Sequence, residues 1–145
     1  MTANDHSVDH IAYTDSYMNI VTETSCKLTT PFFSEKTIKP LVSGQLFLIA
    51  GDQNSIKSLR ALGFETFDHA LNNHNYDKFF TYKRRIDSMV NLIDSVYENV
   101  ESIYFDNIQA IQHNQEYVLS DLFRDRCLKS LLDLDVVDNL NLIPT

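Results

Sequence analysis

The stretch that decides the fold reads Ser34-Glu35-Lys36-Thr37-Ile38-Lys39-Pro40, then Gly44, then Leu46-Phe47-Leu48-Ile49-Ala50-Gly51. Ser34 is a residue type that caps helix starts, and Glu35 falls in the first turn, where a negative charge is favoured. Pro40 predicts a kink or a shifted helix start, and Gly44 predicts the helix end. The continuous apolar run that follows predicts a strand buried on both faces.

Further elements are predicted on both sides of this stretch. Residues 17–21 are apolar or β-branched between polar neighbours, which predicts a strand. After the apolar run, Asp52 or Asn54 is expected to cap a short helix that closes at Gly63. Residues 64–67 alternate between apolar and polar types and predict a further short strand. Strands that alternate with helices at this spacing favour parallel pairing.

The second half of the chain is predicted to be helical, after a polar loop at 68–78. Apolar residues there recur at spacings of three and four, which predicts amphipathic helices over about 79–101, 104–119 and 122–132. We therefore expect an α/β fold with a small, mainly parallel, three-layer sheet of about three strands and long C-terminal helices. Residues 1–15 are predicted to be a loose lead-in to a single domain at 16–145.

The charge balance argues against some classes of partner. The chain has 20 acidic and 12 basic residues, and its net charge of −8 repels a nucleic-acid backbone unless basic side chains cluster. The compact basic run Lys83-Arg84-Arg85 opens a predicted helix, and we interpret it as a solvated face or a protein contact. No apolar run approaches the roughly 18 residues of a membrane span. We expect neither nucleic acid nor a membrane as partner, and a cytoplasmic location.

The sequence gives little evidence for a metal site or for a nucleophilic catalytic residue. Cys26 and Cys127 lie far apart without metal-ligand spacing, and are expected to be reduced thiols. His69 and His74 fall in the polar loop and are expected to be exposed, whereas His113 is expected to be partly buried or capping. Neither a Gly-rich phosphate loop nor a paired-acid metal motif occurs, so we expect no cofactor and no metal site.

The strongest candidate site is the predicted helix start. Unpaired N–H groups and the helix dipole favour an anion there, and Lys36 would add a full positive charge to a pyrophosphate. Glu35 could accept hydrogen bonds from a ribose diol. Lys39, one turn further on, could bind phosphate or pair with Glu35. From the residues alone, the competing interpretation is a helix start that is capped by Ser34 and otherwise solvated.

The same residues carry a family resemblance. The pattern Ser-Glu-Lys-Thr-x-Lys-Pro, followed by Gly-x-x-Phe, three hydrophobic residues and Gly-Asp, resembles the C-terminal nucleotide-sugar-binding half of two-domain, fucosyltransferase-like (GT-B-like) glycosyltransferases. The likeness covers about 17–130. It implies a nucleotide diphosphate-sugar ligand bound by Glu23, Ser34, Glu35, Lys36 and Lys39. It further implies that Glu23 faces the sugar or nucleotide, although Thr24 stands where the family has Asn.

The resemblance also implies an acceptor-binding half that this chain lacks, and it gives no catalytic residue. Three explanations stay open: a fragment or split enzyme with a separate N-terminal partner chain, a standalone nucleotide-sugar-binding module, or a non-catalytic interaction module with a relic pocket. The interaction module is expected to be a homodimer that covers an exposed sheet edge. An apolar tail at 134–143 is expected to dock on the core or on a neighbour.

Overall fold

The computed structural model describes residues 11–26 and 31–129. The elements are α1 (Ile11–Thr14), β1 (Met18–Thr22), α2 (Glu35–Ser43), β2 (Leu46–Ala50), α3 (Ser55–Ala61), α4 (Tyr82–Val96), α5 (Val100–Asp106) and α6 (Ile108–Val118). Two 3₁₀ segments, Asn72–Lys78 and Tyr97–Asn99, precede and follow α4, and residues 121–129 are helical. The predicted α/β class is confirmed. The predictions for 1–10, for 130–132 and for the tail 134–143 lie outside the described residues.

Helix α2 is capped by Ser34 and ends at Gly44, as predicted, and Pro40 does not shift its start. Ser34 is its N-cap, and the Ser34 hydroxyl accepts a hydrogen bond from the N–H of Lys36 at 3.2 Å. The helix continues through Pro40 and ends at Gly44, whose φ of 72° is left-handed. A Cβ at Gly44 would lie 2.7 Å from the Gln115 side-chain nitrogen, so glycine also permits the close approach of α6.

The two strands form a parallel pair, as predicted. Met18 is opposite Leu46 and Thr22 is opposite Ala50, so β1 lies one residue later than the predicted 17–21. Every residue of β2 is buried, which explains its continuous apolar sequence. Among the described residues, the sheet contains these two strands only.

The predicted strand at 64–67 is wrong, because this segment lies outside helices and strands. A side chain takes the place of a neighbouring strand there. The Asn114 amide on α6 accepts from the N–H of Glu65 at 2.8 Å and donates to its carbonyl at 2.9 Å. With both backbone groups of Glu65 satisfied by a helix, this segment does not need the sheet. The three-layer arrangement stays a prediction.

Tyr76 covers the edge of β2 that faces away from β1. Since Leu46 donates to Tyr17 and Glu23 donates to Ala50, the alternate residue Ile49 points its N–H to the opposite edge. The buried Tyr76 hydroxyl accepts from that N–H at 2.9 Å. A third strand would need the same donor. A side chain from the 3₁₀ segment therefore closes this position of the sheet.

His74 completes this buried network, so its predicted exposure is wrong. Its Nε2 lies 2.5 Å from the Thr66 carbonyl, and its Nδ1 lies 3.3 Å from the Tyr76 hydroxyl. A carbonyl only accepts, so Nε2 donates and Nδ1 accepts from Tyr76 in the neutral ring. Burial lowers the pKa of His74 to about 4, which keeps the ring neutral near pH 7.

Two of the predicted C-terminal helices, 79–101 and 104–119, are shorter than the sequence predicts. The predicted helix 79–101 begins at Tyr82 and gives way after Val96 to the 3₁₀ turn. The predicted second helix is divided at Asn107, whose side-chain amide donates to the Ile103 carbonyl at 2.8 Å. Such a side-chain bond competes with the regular helix pattern. The buried core joins β2 to residues of α3, α4 and α6.

Tyr76→Phe should destabilise the protein by about 1 to 3 kcal/mol, because it leaves the buried N–H of Ile49 without its acceptor. Urea denaturation followed by circular dichroism measures this change. Tyr97→Phe is the matched control, since the Tyr97 side chain is 63% exposed, and it should change stability by less than about 0.5 kcal/mol. Equal stabilities for the two variants would contradict the role of the Tyr76 hydroxyl.

Candidate functional site

The candidate site lies where both parallel strands end, which we call the carboxyl edge. Glu23 follows β1, and Gly51 and Asp52 follow β2. The Glu23 N–H donates to Ala50 at 3.1 Å, so the two strand ends are tied together. A Cβ at Gly51 would lie 3.3 Å from the Cβ of Glu23, and the absence of a side chain permits this approach. Open α/β sheets generally bind ligands at this edge.

The Glu23 carboxylate joins the end of β1 to the start of α2. It accepts from the Ser34 N–H at 3.0 Å, from the Ser34 hydroxyl at 2.7 Å and from the Thr37 hydroxyl. The Thr24 N–H, at 3.3 Å, is a further donor. Burial raises the pKa of Glu23, but the hydrogen bonds from Thr37, Ser34 and Thr24 outweigh it and leave the pKa below its usual value. The carboxylate is therefore charged and engaged within the protein.

The first turn of α2 uses several of its own donors. The N–H of Ser34 reaches Glu23, the N–H of Lys36 reaches the Ser34 hydroxyl, and the N–H of Thr37 reaches the Ser34 carbonyl. Glu23 already supplies the negative charge that a helix start favours. An anionic ligand at this edge would therefore depend chiefly on the Lys36 side chain.

Glu35 and Lys36 are the accessible charged groups at this turn. Their side chains are 54% and 44% exposed, and the Lys36 ammonium lies 3.9 Å from the Glu35 carboxylate. The ammonium also donates to the Thr24 hydroxyl at 3.2 Å, which holds it beside the Glu23 network. Lys39 lies one turn further on, with its ammonium 5.7 Å from the centre of the Tyr13 ring. The structure thus brings Glu23, Ser34, Glu35 and Lys36 together and places Lys39 towards α1.

Asp52 organises the other side of the carboxyl edge. The residue is 2% exposed, and its carboxylate accepts from the Ser25 hydroxyl at 3.0 Å and from the Phe32 N–H at 3.4 Å. Of the two predicted caps of α3, Asn54 is the N-cap residue, but its side chain makes no capping hydrogen bond. The carboxylate that caps α3 belongs to Asp77, which accepts from the N–H groups of Ile56 and Lys57 at 3.1 and 3.2 Å. Burial raises the pKa of Asp77, against the opposing effect of these two hydrogen bonds.

Arg85 is a buried residue at the carboxyl edge. Of the two interpretations of the basic run, a solvated face or a protein contact, the solvated face is wrong for Arg85. It is 3% exposed, and its guanidinium donates to the carbonyls of Cys26, Phe79 and Phe80 at 2.7 to 2.9 Å. Its spacing to Met89 was an available signal, because residues four apart share one helix face. Arg85 ties the loop after β1 to the start of α4.

Two phenyl rings stand exposed beside these bonds. Phe32, whose N–H is held by Asp52, is 53% exposed, and Phe80, whose carbonyl is held by Arg85, is 83% exposed. Exposed aromatic faces can stack on a planar base or a sugar ring. The carboxyl edge therefore combines an ammonium, a carboxylate and aromatic surface, which are groups that suit a phosphorylated sugar or nucleotide.

Comparison with known proteins found no match to a family model, to a curated protein or to a solved structure.

Both cysteines are free thiols, with Cys127 exposed. Among the described residues, no group of three or more His, Cys, Asp or Glu side chains is arranged to hold a metal ion. Within the same ranges, no helix combines the length and apolar character that crossing a bilayer requires.

Glu23→Gln should make stability less dependent on acidic pH. The folded-state pKa of Glu23 lies below its ordinary value of 4.5, so its stabilisation is present above pH 4.5 and is lost as the pH falls through the folded-state pKa. Urea denaturation at several pH values should show the wild type and the variant converging on acidification. Glu116→Gln, an exposed carboxylate on α6, is the charge-matched control. A wild-type advantage that stays constant with pH would contradict this role.

Proposed function

We propose that this chain is a glycosyltransferase-like domain that binds a nucleotide diphosphate-sugar at the carboxyl edge. The observation that carries the proposal is the position of Lys36, whose ammonium is held by Thr24 directly beside the bonded pair Glu23 and Ser34. An exposed cation at the end of a parallel strand is suited to a diphosphate. The resemblance of the same residues to the nucleotide-sugar half of glycosyltransferases supports this assignment.

The residues take distinct roles in this proposal. Lys36 neutralises the diphosphate, and Glu35 accepts hydrogen bonds from the ribose hydroxyls. Glu23 and Ser34 position the helix that carries both, since the Glu23 carboxylate is already bonded to Ser34 and Thr37. Lys39 supplies a further positive charge one turn away. Stabilisation of the leaving nucleotide diphosphate is the contribution that such a half makes to catalysis.

Turnover in this proposal requires an acceptor half from a separate N-terminal partner chain. No catalytic residue is assigned to the described residues, and no metal or cofactor is invoked. In this proposal the sheet belongs to a three-layer arrangement, with helices on both of its faces. The pair would act in the cytoplasm.

Lys36→Ala should weaken binding of a nucleotide diphosphate about tenfold, because one charge-assisted contact is worth about 1.5 kcal/mol or more. Isothermal titration calorimetry with guanosine, uridine, adenosine and cytidine diphosphates measures the change. Lys83→Ala removes an equally charged side chain that is paired with Asp87 on α4, and this variant should bind as the wild type does. Negligible heats for the wild type, or equal affinities for wild type and Lys36→Ala, would refute the proposal.

The second candidate function is a homodimeric interaction module without catalysis. It is favoured by the outer edge of β1: alternate backbone groups of this strand face away from β2, and Ile20 on that strand is 48% exposed. Among the described residues, β1 pairs with β2 alone. An open edge with an apolar side chain is a template for another strand. In a two-fold dimer, two β1 edges would pair antiparallel into one continuous sheet.

Light scattering should give a mass near twice 16.7 kDa for such a dimer. Ile20→Lys should shift the mass towards the monomer, because a charge on the shared edge opposes pairing. Val90→Lys is a matched control, since Val90 on α4 is also 48% exposed, and it should leave the mass unchanged. A wild-type mass near 16.7 kDa at low concentration would contradict the proposed dimer.

A further inference from the structure

A cleft of about 240 Å³ lies between α3 and the 3₁₀ segment Asn72–Lys78, apart from the carboxyl edge. We call it the α3 cleft. Its walls include Asn54, Lys57 and Arg60 on one side and Asn73, Asp77 and Lys78 on the other. At about 30 Å³ for each water molecule, it has room for roughly eight waters, or for a phosphate group and part of the molecule that carries it.

The α3 cleft concentrates positive charge in an acidic protein. Three of the 12 lysines and arginines of the chain line it, although the net charge is −8. Arg60 pairs with Asp68, but neither Lys57 nor Lys78 forms an ion pair among the described residues. A cleft that is lined by one sign of charge raises the local concentration of the opposite ion.

Asp77 does not cancel this charge. Its carboxylate faces the backbone of α3, where it accepts hydrogen bonds from the N–H groups of Ile56 and Lys57. The buried Arg85 guanidinium also attracts the Asp77 carboxylate. The negative charge is therefore balanced within the fold, and Lys57 and Lys78 remain to attract an anion from solvent.

The backbone of the cleft is held in an unusual conformation. Asn72, Asn73 and His74 are three successive residues with φ between 47° and 50°, and Asn54 on the opposite wall has φ 65°. Left-handed residues normally occur singly. The N–H groups of Asn73 and His74 stabilise this turn by donating to the carbonyls of Asp68 and Leu71. The His74 ring, which is bonded to the Thr66 carbonyl, stabilises it further. Backbone that the surrounding structure holds in such regions is concentrated at ligand sites.

We propose that the α3 cleft binds the phosphate group of a small phosphorylated polyol, such as a sugar phosphate. Lys57 and Lys78 attract the phosphate, and the amides of Asn54 and Asn73 suit the hydroxyl groups of the molecule that carries it. The cleft walls offer no exposed aromatic ring for a nucleobase, which favours a polyol over a nucleotide. This proposal does not rest on nucleotide-sugar binding at the carboxyl edge.

The test is a titration of ¹⁵N-labelled protein with inorganic phosphate, with glucose 6-phosphate and with glucose, followed by amide chemical shifts. We expect saturable shifts at Asn54, Lys57 and Asn73 with a Kd of about 1 mM for phosphate, about tenfold tighter binding of the sugar phosphate, and no shifts with glucose. Tighter binding of glucose 6-phosphate than of inorganic phosphate identifies the polyol ester, and not the free ion, as the ligand. Equal affinities would overturn the assignment to a polyol.

The double variant Lys57→Ala/Lys78→Ala should weaken phosphate binding at least about tenfold, with a dispersed amide spectrum that confirms folding. Lys83→Ala is the control that should bind phosphate as the wild type does. Amide shifts at Thr24 and Lys36 report on the carboxyl edge, so the two sites are followed separately and either proposal can fail alone. Shifts that do not saturate, that are confined to Thr24 and Lys36, or that persist unchanged at the α3 cleft in the double variant would overturn the proposal.

Discussion

The Glu23 carboxylate accepts hydrogen bonds from Ser34 and Thr37, and this contact fixes where α2 begins relative to the end of β1. The position of α2 then sets the rest of the β1–α2–β2 unit, because Gly44 ends the helix and the chain enters the buried strand β2 two residues later. Gly51 also lies close to Glu23, since a Cβ at Gly51 would be 3.3 Å from the Glu23 Cβ. The residues that support the candidate site are therefore also those that support the fold.

Polar side chains replace missing strands at two places in this structure. The Tyr76 hydroxyl satisfies the edge of β2 at Ile49, and the Asn114 amide satisfies both backbone groups of Glu65. A two-stranded parallel sheet buries little backbone by itself, so buried groups at its margins need such partners. These bonds are long-range, and each joins two distant parts of the chain. Loss of either hydrogen bond should therefore destabilise the core as a whole and not only the residues nearby.

The basic side chains of this acidic chain have different roles in its interior and at its surface. Arg85 is buried and bonds to three backbone carbonyls, so its charge organises the protein interior. Lys36 is held at the carboxyl edge by Thr24, and Lys57 and Lys78 line a cleft beside α3. Solvent can reach the latter three side chains, and against a net charge of −8 such local cations are the places where an anionic ligand can approach.

The sequence by itself determined the elements whose signals are local. The caps Ser34 and Gly44, the apolar run of β2 and the helical spacing of α4 all act within a few residues, and each prediction is confirmed to within a few residues. The sequence also brought Glu35 and Lys36 to attention as an accessible pair. It did not reveal that the Glu23 carboxylate is engaged by Ser34 and Thr37, because that depends on how a loop returns to the strand end.

Only the tertiary structure decided the features that depend on distant residues. Asn114 lies 49 residues from Glu65, and Asp77 lies 21 residues from the helix turn that it caps. His74 and Arg85 are polar types that are usually exposed, and they are buried here because carbonyls from elsewhere in the chain accept their hydrogen bonds. The local sequence pattern indicates which residues prefer a helix or a strand. Which distant group satisfies a buried donor or acceptor is settled only when the chain is packed.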